Sequence, residues 1–296
     1  SYAHAPYAHT VSPSAGYERA GYAVGASAGD ERAGYAVVIR GGRARFEQCG
    51  AESHTSGGFF VSAGSEVELR GCHLKRSEAH GVLASGKARV SLSHCHVQTS
   101  GAACVEARGR AVATLHCCRV HASARSGLFT SGFGEVRAEH CNLFSCAFAA
   151  VECTGESEVE LDGCRIHHGH RGGVMALGRA RLGMRACSVY KNAMAGVSVR
   201  GSACASLQGS TVTNGRSSGV HLSEGGTLEM AGNHVCGNRL CGLEVEGGAA
   251  KLVALDNVLG GNGGEALSLP TLPNSANVLE GNMLHAQADA DADADA

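Results

Sequence analysis

The sequence predicts an all-β solenoid, a parallel β-helix of about ten coils with about 23 residues in each coil. Three observations support this fold: a cysteine column, a glycine series in the same phase, and short segments of alternating apolar residues between them. The column keeps this spacing through Cys49, Cys72, Cys95, Cys118, Cys141, Cys164, Cys187, Ser210 and Asn233, and it continues after small insertions with Asn257 and Asn282. A period this regular indicates one structural unit repeated along an axis.

Each repeat contains three short segments in which every second residue is apolar. In the repeat around Cys72, these are Val67/Leu69 before the column, Leu74 after it, and Val82/Ala84 after Gly81. A period of two is typical of strands, and Gly residues mark the turns between them. Segments this short cannot fold alone, so we expect each strand to pair in parallel with its copies in the coils above and below.

The later repeats carry a recognisable string. Asn233, Asn238, Gly242 and Val245 follow the order Asn-x-apolar-x-x-Asn-x-x-x-Gly-apolar-x-apolar, and the repeat that starts at Cys187 has the same order with Cys first. This string resembles the consensus of the right-handed parallel β-helix repeat family over about residues 35–285. The resemblance implies a right-handed solenoid. The family includes pectate-lyase-like enzymes, periplasmic maturation proteins and the β-helices of some F-box proteins, so it leaves function open.

Residues 34–285 are therefore predicted to form the β-helix, between two flanks of different composition. Residues 1–33 are rich in Tyr and contain Glu-Arg-Ala-Gly-Tyr-Ala-Val, which recurs at 31–37; this flank is expected either to cap the solenoid or to bind a partner. Residues 286–296 end in alternating Ala and Asp, a composition typical of a solvated tail.

Composition excludes some function classes. The formal charge of −2 disfavours nucleic-acid binding, which needs a basic patch, and no apolar run is long enough to span a membrane. The cysteine column is interpreted as an interior ladder of free thiols, since Ser and Asn also occupy it. Free thiols favour a reducing intracellular compartment. An organelle that the chain enters before its presequence is removed is left open as an alternative.

The strongest metal candidates are His94, Cys117 and His140, which directly precede the column on three consecutive coils. Parallel strands lie about 4.8 Å apart, so the two outer ligands would be about twice that distance from each other. A tetrahedral zinc ion with bonds of about 2.0–2.3 Å does not easily bridge them. We therefore expect no metal and no cofactor.

The outward positions suggest two surfaces. Before the column, charges of opposite sign alternate between neighbouring coils, as in Arg43 and Glu66, which predicts cross-strand ion pairs. After the glycine series, the outward positions include four apolar residues that we expect to form a broken exposed strip for a protein partner: Phe60, Leu83, Phe129 and Met175. Either such a partner or the N-terminal flank is expected to cover the strip.

The functional hypothesis from sequence is a noncatalytic β-helix scaffold or adaptor, a structural subunit that binds protein partners in a larger assembly. Seven coils of equal length leave no long loop to wall a catalytic cleft. The alternative is a carbohydrate-active enzyme, a polysaccharide lyase, hydrolase or epimerase, which the resemblance implies only at the level of fold. Asp162 and His168 are the residues whose loss would test that alternative; a small-molecule or polysaccharide ligand has no other support in the sequence.

Overall fold

The chain forms a right-handed parallel β-solenoid of about eleven turns, one more than the sequence predicts. The computed structural model describes residues 34–52, 56–270 and 277–285, together with the backbone of residues 22–23. Each coil contributes one strand to each of three long sheets, which we name A, B and C, and none of the described residues is helical. One repeat of the sequence is thus one complete turn of the backbone.

The three sheets run the length of the solenoid. Sheet A consists of Tyr22–Ala23, Tyr35–Arg40, Gly57–Ser62, His80–Gly86, Val105–Gly109, Leu128–Gly132, Val151–Cys153, Val174–Ala176, Val197–Val199, Val220–Ser223, Leu243–Glu246 and Leu267–Ser268. Sheet B consists of Arg43–Glu47, Glu66–Arg70, Arg89–Ser93, Val112–His116, Glu135–Glu139, Glu158–Asp162, Arg181–Arg185, Cys204–Gln208, Thr227–Ala231, Lys251–Leu255 and Val278–Glu280. Sheet C consists of Gly50–Glu52, His73–Ser77, His96–Ser100, Arg119–His121, Asn142–Phe144, Arg165–His167, Ser188–Tyr190, Thr211–Thr213, His234–Cys236, Val258–Gly260 and Met283–His285.

The cysteine column lies inside the solenoid, where sheet B turns into sheet C. All fourteen cysteines are free, and the column members from Cys72 to Cys187 are buried. The Cys164 thiol donates to the carbonyl oxygen of Ala138 at 3.3 Å, and the thiol of Cys141 accepts the backbone N–H of Cys118 at 3.4 Å. The ladder is therefore hydrogen-bonded as well as packed, a property that its interpretation as an interior ladder of free thiols did not include.

Those bonds explain why asparagine replaces cysteine in later coils. The Asn233 amide donates to the Leu207 carbonyl oxygen at 2.9 Å, and its Oδ1 accepts the backbone N–H of Ser210 at 2.8 Å. Cys, Ser and Asn are all small and can both donate and accept, so each satisfies the backbone of the coil below. This column position therefore favours residues that can both donate to and accept from the backbone of the coil below.

Most coils have glycine where sheet A begins, because the coils approach each other there. A Cβ added to Gly196 would lie 2.5 Å from Val212 Cγ1 and 2.8 Å from the Gly219 carbonyl oxygen. Real Cβ atoms do not come so close to backbone, so any side chain here would separate two coils. At Gly196 the absence of a side chain is thus a packing requirement, whereas the small residues Cys104 and Ala150 occupy the same place in two other coils and are fully buried.

The two ends of the solenoid differ. Tyr22–Ala23 pairs antiparallel with Tyr35–Arg40 at the N-terminal edge of sheet A. On the last coil, Leu279 and Leu284 continue two interior columns, yet they are 40% and 52% exposed. Apart from residues 22–23, the predicted N-terminal flank (1–33) and the acidic tail (286–296) lie outside the described residues.

Candidate functional site

An open concavity lies on the outer face of sheet B, and we call it the sheet B groove. Its first stretch encloses about 630 Å³ across the four strands from Arg43–Glu47 to Val112–His116. A second stretch of about 410 Å³ follows across the four strands from Glu135–Glu139 to Cys204–Gln208. Outward side chains of eight successive coils therefore line it, and a ligand that fits would be long and would lie along the solenoid axis.

Charged residues of both signs line this groove. The arginines are Arg43, Arg45, Arg89, Arg137 and Arg185. The carboxylates are Glu66, Glu68, Glu139, Glu160 and Asp162. Cross-strand ion pairs, which the alternating charges predict, join Arg43 Nε to Glu66 Oε2 at 2.6 Å and Arg45 Nε to Glu68 Oε2 at 3.5 Å.

A glycine interrupts the outward side chains in the second stretch. Gly183 pairs in register with Glu160 on the coil below and with Ser206 on the coil above. The Glu160 side chain lies over this gap, and a Cβ at Gly183 would collide with its carboxylate oxygens. Glycine within a strand often marks a place where a ligand or another backbone approaches closely.

Glu160 also has an altered acidity. Partial burial raises the pKa of its carboxyl group, and Glu158 raises it further, while Arg137 and Arg185 act in the opposite direction. Asp162, two residues along the same strand, lies 3.8 Å from Arg185 Nε. Two carboxyl groups of one strand thus line the groove, two residues apart.

Two of the four residues expected to form an exposed apolar strip on sheet A are buried. Phe60 and Leu83 are each 3% exposed and pack with Tyr35 and Val38. The ring centroids of Tyr35 and Phe60 lie 5.6 Å apart. The expectation of an exposed strip is therefore wrong for this pair, whose surface is taken up by contacts within the chain.

The other two strip residues, Phe129 and Met175, are half-buried. Two buried glutamates, Glu106 and Glu152, separate them from their apolar neighbours. This part of sheet A is thus a mixture of apolar and acidic side chains, so partner binding by Phe129 and Met175 stays a prediction.

Those glutamates take part in a recurring polar contact. His80 Nε2 lies 2.7 Å from Glu106 Oε2, and the Ser126 hydroxyl donates to Glu152 Oε2 at 2.6 Å. Tyr35 extends the first contact, because its hydroxyl lies 3.2 Å from His80 Nδ1. Burial raises the pKa of Tyr35 to about 12. The space beside these groups is about 20 Å³, room for one water molecule but not for a sugar ring.

Sheet C carries an aromatic ladder, which we define as His121, Phe144, His167 and Tyr190. Successive ring centroids are 4.4, 5.0 and 4.7 Å apart, and neighbouring rings are within 15° of parallel. His167 Nε2 lies 2.9 Å from Asn142 Oδ1, and its Nδ1 lies 2.7 Å from His168 Nδ1. Sequence reasoning missed this ladder, although its members follow one another at the spacing of the repeat.

Burial keeps the ladder histidines neutral. It lowers the pKa of His167 to about 4, with His168, Arg165 and Lys191 adding to the effect, and it also lowers the pKa of His121. Because the rings stack on one another, they present mainly edges to solvent, and sugar rings usually bind to aromatic faces. The ladder therefore has a structural role.

The metal candidates His94, Cys117 and His140 occupy the bend between sheets B and C. Their φ angles are 53°, 52° and 52°, and the next coil has Gly163 there at 59°. Across residues 34–52, 56–270 and 277–285, no three His, Cys, Asp or Glu side chains converge as metal ligands. The three residues share a backbone conformation that glycine adopts most easily.

Asp162 and His168, the residues singled out for a carbohydrate-active function, are not brought together. Asp162 lines the sheet B groove, whereas His168 lines an open concavity beside His170 and Lys191.

Within the part of the chain that the structure describes, no helix has the length and apolarity needed to cross a bilayer.

A family profile described as "Right handed beta helix region" matches residues 31–161 and 149–289, which together span most of the chain. The solenoid described above has the architecture that this description names. The chain belongs to the right-handed β-helix family.

Two groups of solved structures resemble the chain in fold. The periplasmic alginate epimerase AlgG is 12% identical, with a TM-score of 0.53 over 85% of this chain and 77% of that one. The A-module of the Azotobacter vinelandii mannuronan C-5 epimerase AlgE6 is 13% identical, with a TM-score of 0.50 over 82% and 90%. No curated protein sequence matches the chain.

Identities this low show a common fold. Both neighbours named above are epimerases, and a likeness at these identities shows the fold alone. Function therefore has to be argued from the groove and its residues.

Proposed function

We propose that the chain is a carbohydrate-active β-helix protein that binds an extended polysaccharide along the sheet B groove. The observation that carries the proposal is the shape of this surface, since two open stretches of about 630 and 410 Å³ follow each other over eight coils. A linear polymer of polar rings matches an open, elongated surface lined by hydrogen-bonding groups. The fold of the two epimerases named above adds support at the level of architecture.

Glu160 is the residue in this groove best suited to proton transfer. Because its pKa is raised, the carboxyl group of Glu160 keeps its proton to a higher pH than an ordinary carboxyl group does, as a general acid requires. The missing side chain at Gly183 lets the Glu160 carboxylate lie over that strand, on the open face of the groove, where a glycosidic oxygen or a sugar C–H can approach it. Asp162, 3.8 Å from Arg185 Nε, places a second carboxyl group two residues away on the same strand.

The test combines binding with turnover. Polysaccharides of several classes are titrated into the chain by calorimetry, and the products are analysed by mass spectrometry. Glu160→Gln is expected to retain affinity and lose turnover, because it keeps the shape and removes the transferable proton. Glu229→Gln, on the same sheet beyond the groove, is the matched control and is expected to retain both.

The noncatalytic scaffold is the competing function. Its remaining candidate contacts on sheet A are Phe129 and Met175. If no polysaccharide binds and a protein partner is lost on Phe129→Glu, the carbohydrate proposal is wrong and the scaffold hypothesis stands.

A further inference from the structure

The charges on the sheet B groove bear on which polysaccharides it can hold. Five arginines and five carboxylates line its two stretches, so the surface has no excess of either sign. Binding of a polyanion to a protein depends on cationic groups that are free to neutralise it.

The arginines of this groove are largely engaged with carboxylates of the chain. Besides its contact with Glu68, Arg45 Nη2 lies 2.5 Å from Glu47 Oε1, and Arg137 pairs with Glu135 on its own strand. Arg43 pairs with Glu66, and Arg185 lies 3.8 Å from Asp162. A bound uronate would have to replace these partners and would also lie beside the displaced carboxylates.

Uncharged sugars face no such competition. Their hydroxyl groups donate to carboxylate oxygens and accept from guanidinium N–H groups, and both types alternate along this surface. Ser91, Thr114, Ser206 and Gln208 add neutral hydrogen-bonding groups between the charged ones. A hydroxyl-rich chain can therefore bind without breaking an ion pair.

We infer that the sheet B groove selects an uncharged polysaccharide over a polyuronate. The inference rests on the proposed function and adds the substrate class. It separates this chain from the two epimerases, whose names give alginate and mannuronan as their substrates.

The test uses hexasaccharides of glucose, mannose, galactose, mannuronate and galacturonate, titrated into the wild-type chain by calorimetry. At least one neutral hexamer is expected to bind ten or more times tighter than either uronate, with an affinity that changes less than twofold between 50 and 300 mM salt. Tighter binding of a uronate overturns the inference and leaves the proposed function standing. Binding of no hexamer overturns the proposed function, and the inference with it.

A pair of variants tests the cause. Glu66→Gln with Glu68→Gln frees Arg43 and removes one of the two carboxylates that contact Arg45, while Glu47 stays in place. Both substituted glutamates are half-exposed, so folding should be little affected. This double variant is expected to bind the uronate hexamers at least tenfold tighter than the wild type does, with affinity that falls as salt rises. Glu224→Gln frees Arg200 outside the groove and is expected to change nothing. Unchanged uronate affinity in the folded double variant contradicts the inference.

Discussion

The carboxylate of Glu160 lies over Gly183, on the next coil of the same sheet, where every other coil of that stretch of the groove carries a side chain. The absence of a Cβ leaves room for the Glu160 carboxylate to lie over the neighbouring strand. A glycine thus sets the placement of the residue that we propose for proton transfer, and the first prediction follows from this pair.

Gly183→Ala is expected to weaken oligosaccharide binding about tenfold, which is ~1.4 kcal/mol, because the added methyl group displaces Glu160 into the groove. Calorimetric titration measures the effect. Gly50→Ala is the matched control, since a Cβ there meets no atom within 4 Å. Equal affinity of the alanine variant and the wild type would show that this gap has no part in binding.

The cysteine ladder gives a prediction about stability. Cys141→Asn is expected to change the free energy of unfolding by less than about 1 kcal/mol, because Asn can make the bonds that Asn233 makes in its own coil. Cys141→Leu is expected to destabilise by about 1–3 kcal/mol through overpacking and loss of those bonds. Denaturant unfolding compares the two, and the reverse order would rule out a hydrogen-bonding requirement.

The aromatic ladder predicts a dependence of stability on pH. The pKa of His167 is about 4 in the folded chain and near its ordinary value of about 6.5 in the unfolded chain, so the unfolded state binds the proton first. Neutral His167 therefore makes its full contribution to the free energy of unfolding above pH 6.5, and this contribution is lost as pH falls towards 4. Solvent screening of this partly exposed ring limits the effect to on the order of 1 kcal/mol.

His167→Phe should therefore flatten, without abolishing, the fall in melting temperature between pH 6.5 and pH 4, because His96 and His121 have lowered pKa values as well. Thermal melts over this range measure the slope. His234→Phe, at an exposed position of the same sheet, is the control and should leave the slope as it is. An unchanged slope in His167→Phe would contradict this role for the ladder.

Burial of Phe60 predicts the outcome of a charge substitution on sheet A. Phe60→Glu is expected to lower stability by about 3 kcal/mol or more, since it places a carboxylate among Tyr35, Val38 and Leu83. Phe129→Glu, at a half-buried position, should lower stability less. Melting temperatures compare the two variants. If Phe60→Glu is as stable as the wild type, Phe60 is not buried in the folded chain.

Much of the fold could be predicted because the repeat is strict. Since successive coils have the same length, residues one repeat apart, such as Arg43 and Glu66, must be neighbours on adjacent strands, and the structure pairs them at 2.6 Å. The same spacing places His121, Phe144, His167 and Tyr190 in one column. The ladder was therefore visible in the sequence, but its mixture of His, Phe and Tyr is less conspicuous than a column of identical cysteines.

The site could not be predicted in the same way. Periodicity gives the neighbours of a residue, but it does not say how deeply a sheet face is covered, so Phe60 and Leu83 were expected to be exposed and are buried. The volume of the sheet B groove depends on the conformations of outward side chains from several coils, which the repeat does not specify. Gly183 was visible in the sequence, but its effect on Glu160 is a matter of side-chain direction.

The most direct test of the central claim is a crystal structure of the chain with a bound neutral hexasaccharide. The account predicts sugar density along sheet B, parallel to the solenoid axis, with one ring beside Gly183 and a sugar oxygen within hydrogen-bonding distance of Glu160. Density on the aromatic ladder of sheet C or on sheet A, with the sheet B groove holding only solvent, would contradict it.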